Sequence, residues 1–189
     1  EMFNMWWIPL IIVAVIIFFV IGLYNGLVRK KVYIGEAWSS IDVQLKRKAN
    51  VIPNLIDTLK MQTNYEGDLL EKLTQARTGI TSGSNTEKMK ANDEISKMLP
   101  SFYAVAENYP TLGANESFRK LMVEVSDCED KIAFSRNRYN MAVTDFNTEL
   151  VKFPSNLMAK MLGYTEEPFF EISQEIRDTT DNMRIKDIS

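Results

Sequence analysis

From Met2 to Val28 the chain carries no charged side chain, and beyond that run apolar residues recur every three or four positions almost to the C-terminus. A helix rises about 1.5 Å per residue, so an uncharged run of this length crosses a hydrocarbon core of roughly 30 Å. The pattern predicts a transmembrane helix over 5–27, preceded by a short extracytoplasmic segment, 1–4. Trp6 and Trp7 at one end and Tyr24 at the other suit the two membrane interfaces, and Pro9 falls in the first turns, where its missing N–H does least harm. A cleaved signal peptide would want a basic leader, a shorter apolar run and a small-residue cleavage site, and the sequence offers none of them.

The cations Arg29, Lys30 and Lys31 follow the run at once and no cation precedes it. As topology-setting charges they predict a single-pass protein of the cell membrane with its N-terminus outside and the large domain cytoplasmic.

Beyond the span, Ile34, Trp38, Ile41, Leu45, Ala49 and Ile52 draw one apolar stripe along a helix leaving the membrane. Pro53 reads as a corner, with Asn50 as its turn or cap, and a second helix is expected from Pro53 to about Arg77, weakened at Gly67. The stretch TGITSGSNT, 78–86, reads as a loop. A third helix is expected over 87–108 with a kink at Pro100, then a turn at YPTLGAN, 109–115, where Asn115 can cap the next helix.

That next helix is the most regular feature of the chain. Phe118, Val125, Ile132, Tyr139, Phe146 and Phe153 fall seven apart, with Leu121, Cys128 and Ala142 on the adjoining seam. It should end at Pro154, followed by a short capped helix in FPSNLMAKMLGY. No stretch alternates as a strand would. The fold class is therefore all-α: an N-terminal transmembrane helix continuing into an antiparallel bundle of long helices over 28–172, with a polar tail over 173–189.

Charge and composition narrow the chemistry. A chain of 189 residues with net charge −3 lacks the basic excess of a nucleic-acid binder, so no nucleic-acid partner is expected. It has no histidine and one cysteine, which removes the usual general base, the usual metal ligand and any intrachain disulfide. Phosphate-binding glycine loops and zinc spacings are missing as well. Catalytic, cofactor-binding and metal-binding residues are therefore not expected, nor a cofactor.

The basic run Lys46, Arg47 and Lys48 reads as the solvated side of a helix and a candidate partner surface. On a straight helix Lys46 stands about 20 Å beyond Lys31, more than two Debye lengths from lipid. Asp127, Glu129 and Asp130 read as a solvated acidic face, because neighbours on a helix point different ways. Cys128 on the seam and the aromatic stripe, with Trp38, read as core.

Several blocks resemble one known family. They are EAWSSIDVQLKRKANVIPNL at 36–55, FYAVAENYPTLGANESF at 102–118, IAFSRNRYNMAVTDFN at 132–147, FPSN at 153–156, and LGY followed by PFFE up to Glu171. In this order they are similar to the LemA family. The resemblance implies a membrane helix, a bundle of long helices in the bacterial cell envelope, and no accepted catalytic residues.

The expected role is a non-enzymatic scaffold or adaptor that associates with itself, with the lipid bilayer and a membrane protein as further partners. The alternative is a regulatory subunit of a membrane enzyme such as a metalloprotease, an association the resemblance implies. Two features favour a homo-oligomer. Gly22 and Gly26 form a small-xxx-small pair for packing within the membrane, and Lys46 and Arg47 are placed to meet acidic residues such as Asp127 and Glu129 of a neighbouring copy.

Overall fold

The computed structural model describes residues 7–63 and 67–171; 88% of these are helical and no strand occurs among them. In chain order the elements are α1 (Trp7–Thr63), α2 (Asp68–Ser82), α3 (Asn85–Asn108), the one-turn α4 (Pro110–Gly113), α5 (Glu116–Val151) and α6 (Ser155–Met161). The expected N-terminal segment 1–4, the start of the span and the tail from 173 lie outside the described residues.

Helix α1 continues through Pro53, so the break between two helices expected there is absent. Proline has no N–H to give the carbonyl four residues back, which is the bond a helix interior loses. Here that carbonyl is Ala49 O, and Arg77 Nε from α2 donates to it at 3.1 Å. Ala49, Ile52, Leu55 and Leu59 are buried along the same stretch. Covering a large aliphatic side chain contributes about 1.5–3 kcal/mol, so two or three of them offset the roughly 3 kcal/mol that an interior proline costs.

The chain divides into two compact units, one of residues up to Trp38 with Arg138–Phe169, the other of Ser39–Asn137 with residues from Phe170. In the second unit the side-chain neighbours fix the helix directions. Ser40, Val43 and Gln44 of α1 lie beside Asp130 and Ser135 of α5, while Val51 and Asn54 lie beside Leu121 and Glu124, so α1 and α5 are antiparallel. Lys88 meets Asp42 and Asn92 meets Lys48, so α3 runs parallel to α1. With α2 descending between them, this is an up-down-up-down arrangement around Ile41, Leu45, Leu73, Ile95, Phe102 and Val125.

The stretch 78–86 is not the loop its composition predicts: helix continues to Ser82 and resumes at Asn85. The hydroxyls of Thr78 and Ser82 donate to the carbonyls of Thr74 and Thr78 at 3.1 and 2.8 Å, which satisfies these polar residues inside the helix. Ser84 then opens α3 with a reciprocal cap. Its Oγ accepts from the Glu87 N–H at 3.4 Å, while Glu87 Oε2 accepts from the Ser84 N–H at 2.7 Å. That backbone bond holds the Glu87 carboxyl below its ordinary range. Likewise α2 begins not at Pro53 but after Gly67, α3 passes through Pro100 without interruption, and Asn115 Oδ1 caps α5 by accepting from the Phe118 N–H at 2.9 Å.

In the first unit, Trp38 of α1 meets Tyr139 of α5 edge to face at 6.3 Å, and Lys30 lies 3.6 Å from Glu149, which repeats the antiparallel pairing. The seam of α5 is buried at Phe118, Val125, Cys128, Ile132, Tyr139 and Phe146, while Leu121 and Ala142 are half-buried. Phe153 is the exception at 75% exposed, because α5 stops at Val151 and the chain turns before the repeat reaches it.

α6 has no side-chain cap at its start; its C-terminal end is the closed one. Gly163 takes φ 67°, a left-handed conformation that costs other residues about 1–2 kcal/mol. Tyr164 N–H then reaches Ala159 O at 3.0 Å and Gly163 N–H reaches Lys160 O at 3.1 Å, which satisfies the last carbonyls. The turn sets Tyr164 against Phe146 at 5.5 Å. The following segment is clamped by Asn147, whose side chain exchanges two 2.9 Å bonds with the Glu167 backbone.

Candidate functional site

Successive helical residues point about 100° apart, so the cations at 46–48 go three ways. Lys46 is exposed and pairs with Asp42 Oδ2 at 2.6 Å. Arg47 donates from Nε to Glu124 at 3.3 Å and from its terminal nitrogen to Asp127 Oδ2 at 2.6 Å. Lys48 has no exposed surface at all: its ammonium pairs with Glu129 and donates to Asn92 Oδ1 at 2.7 Å and Ser96 Oγ at 3.4 Å.

The solvated face expected of this run therefore holds for Lys46 and fails for Lys48, which cannot belong to a partner surface. A buried ammonium is tolerated because a counter-charge and further hydrogen bonds replace water. Ser96 Oγ completes the set, 2.9 and 2.8 Å from the two Glu129 oxygens and able to donate to either.

The acidic face is likewise spent within the chain. Asp127 meets Lys131 and Arg47, which together hold its carboxyl below the ordinary range, and Glu129 turns inward. Within one chain Arg47 takes Asp127 and Lys46 takes Asp42, the kind of acidic partner that the sequence suggests for them on a second copy. Arg136, also buried, donates to Asp93 at 2.6 Å, with its Nε left without a partner.

Cys128 is fully buried beside this network, and burial pushes its thiol up, away from the reactive thiolate. Among the described residues no group of three or more His, Cys, Asp or Glu side chains could hold a metal ion.

The surface that sequence reasoning missed lies on the outer side of α1 and α5. An open groove of about 470 Å³ is lined by Ser40, Val43 and Gln44 of α1 and by Asp130, Lys131, Phe134 and Ser135 of α5. Val43 is 59% and Phe134 67% exposed, so its floor is apolar and wet. Gln44 Oε1 is shielded from solvent there without a hydrogen-bond partner. A second groove of about 520 Å³ shares Val43 and continues past Arg47, Val51 and Asn54 to Leu121 and Glu124. The available signal was an aromatic off the seam, because Phe134 falls on the side of α5 away from the heptad positions.

In the other unit, Gly22 and Gly26 are exposed on the apolar helix, and a methyl group at either would meet nothing within 4 Å. Arg29 is exposed, whereas Lys30 pairs with Glu149 and Lys31 pairs with Glu167, its ammonium also 5.3 Å from the Phe146 ring centre. Lys30 thus ties α1 to the end of α5, and Lys31 ties it to the segment that follows α6. The apolar stretch of α1 is long enough to cross a membrane by length and composition, and its most apolar 18 residues are uncovered by the rest of the chain, although Leu27 near its end is buried.

A sequence model of the LemA family matches residues 37–185. Similar proteins include Protein LemA of Metamycoplasma hominis, 27% identical over 92% of this chain and 80% of its own length. Magnetosome protein MamQ 2 of Paramagnetospirillum magneticum is 24% identical over 70% of this chain, and Magnetosome protein MamQ of Magnetospirillum gryphiswaldense 23% identical over 70%. The chain spans 59% and 58% of the lengths of these two magnetosome proteins.

Proposed function

Because the chain belongs to the LemA family, we propose that it is a membrane-anchored helical scaffold or adaptor of the bacterial cell envelope, working by binding and not by catalysis, and that it associates with itself. The groove between α1 and α5 carries this reading: Val43 and Phe134 form an apolar floor of a kind that marks interaction sites. A second copy is the occupant the residues favour. A two-fold contact would set the exposed Val43 and Phe134 of one copy against the same groove of the other, covering both apolar surfaces at once. The bare faces at Gly22 and Gly26 allow a second close contact within the bilayer.

The ionisable groups that catalysis would need support the same reading. Lys48, Glu129, Arg136 and Asp93 are occupied with one another, and the one thiol is buried.

Crosslinking in native membranes followed by mass spectrometry tests the proposal. Links between copies through the α1 and α5 groove support it. One dominant membrane enzyme with few self-links would replace it with a regulatory subunit of that enzyme.

A further inference from the structure

Helix α6 is amphipathic in the wrong sense for a water-soluble surface. It buries the small residues Ser155 and Ala159 and leaves Leu157 53% and Met161 81% exposed. Val151 and Phe153, just before it, are exposed as well. A surface helix in water buries its large apolar side chains, so this reversal calls for an apolar medium on the outer side.

The register of α1 against α5 identifies that medium. Lys30 and Glu149 stand level, 3.6 Å apart on antiparallel helices. Val151, two residues further along α5, is therefore about 3 Å nearer the apolar run and level with Val28, where that run ends. Phe153 and α6 follow from there. The exposed cations Arg29, Lys152 and Lys160 flank these residues in the chain, as side chains near lipid phosphates would; Lys152 also lies 3.9 Å from Glu149, and its exposed ammonium can reach past it.

We infer that Val151, Phe153, Leu157 and Met161 form a membrane-interface contact, a second attachment to the bilayer that α1 spans, with Lys152 and Lys160 directed to its anionic headgroups. The contact is continuous with the apolar face of α1, which is why a lipid surface and not a protein is its occupant. The inference rests on α1 being a membrane span.

The test uses the full chain in lipid discs of zwitterionic and anionic phospholipid. An environment-sensitive fluorophore is placed by Leu157→Cys, Met141→Cys or Val13→Cys; the native Cys128 is buried and stays unlabelled. Met141 is exposed on α5, ten residues or about 15 Å from Val151 away from the apolar run. Loss of emission at 157 with spin-labelled headgroups, none at 141, and loss at 13 with a spin label at the bilayer centre is the expected result.

Quenching at 13 without quenching at 157 overturns the interface contact and leaves the span intact. No quenching at 13 overturns the span, and this contact with it. Equal quenching at 141 and 157, or a probe at 157 shielded from water yet untouched by any lipid label, also overturns the contact, the latter by showing a protein in its place.

Discussion

The Lys48 ammonium, with no surface exposed to solvent, is held against the Glu129 carboxylate among the helices of Ser39–Asn137. Asn92 and Ser96 of α3 complete the contact, so one charged pair aligns α1, α3 and α5 in a single register. An apolar core tolerates a slip of one helical turn more readily than a buried pair does, since a slip would strand both charges.

Removing one partner should be worse than removing both. Lys48→Met or Glu129→Leu alone should cost about 3–5 kcal/mol, whereas the double variant should be near neutral or more stable than either. Denaturant unfolding of the full chain in detergent, followed by circular dichroism, measures this. Singles that unfold like the wild type would mean that both groups reach water.

The seam of α5 makes a packing prediction. Ile132→Ala should cost about 2–5 kcal/mol and Phe146→Ala about 3–5 kcal/mol, because both are buried. Phe134→Ala, exposed within one chain, should stay within about 0.5 kcal/mol under conditions that keep the chain monomeric. A larger loss at 134 than at 146 under those conditions would show that the exposed and buried faces of α5 have been exchanged.

Acid should weaken the fold through carboxylates that are held ionised. Lys46 and then Lys88 lower the Asp42 carboxyl from its ordinary 3.8, and the Ser155 hydroxyl followed by Lys30 lowers that of Glu149 from 4.5. A depressed folded value adds stability that is present above the unfolded value and lost as pH falls through the folded one. Stability should therefore be level above about pH 5 and decline below it. Asp42→Asn should remove part of that decline; a variant as acid-sensitive as the wild type would show that Asp42 contributes none of it.

Cys128 should be inert in the native chain, since burial both hides its sulfur and disfavours the thiolate. A maleimide should label it slowly in detergent and fully after denaturation. Rapid labelling of the native protein would place the seam at the surface.

The long helices and the seam were legible because burial imposes a period that survives in the residues themselves: Phe118, Val125, Ile132, Tyr139 and Phe146 are where the repeat puts the core. Three local rules failed for tertiary reasons. Pro53 does not break α1, because Arg77, far along the chain, takes the carbonyl the proline leaves. Residues 78–86 look like a loop only if their hydroxyls are assumed to face water, and Thr78 and Ser82 instead bond their own helix. Lys48 is charged and sits in a run of cations, so only the position of Glu129 reveals that it is core. The groove around Val43 and Phe134 stayed hidden because a single apolar residue on a polar face is common; its meaning comes from a neighbouring helix carrying another.

The size of the full chain in detergent or lipid discs, by light scattering or sedimentation, tests self-association most directly. The wild type should form a species larger than a monomer, which Val43→Asp with Phe134→Glu shifts toward the monomer and Gly22→Ile with Gly26→Ile weakens. A wild type that is monomeric at every concentration would contradict the scaffold reading.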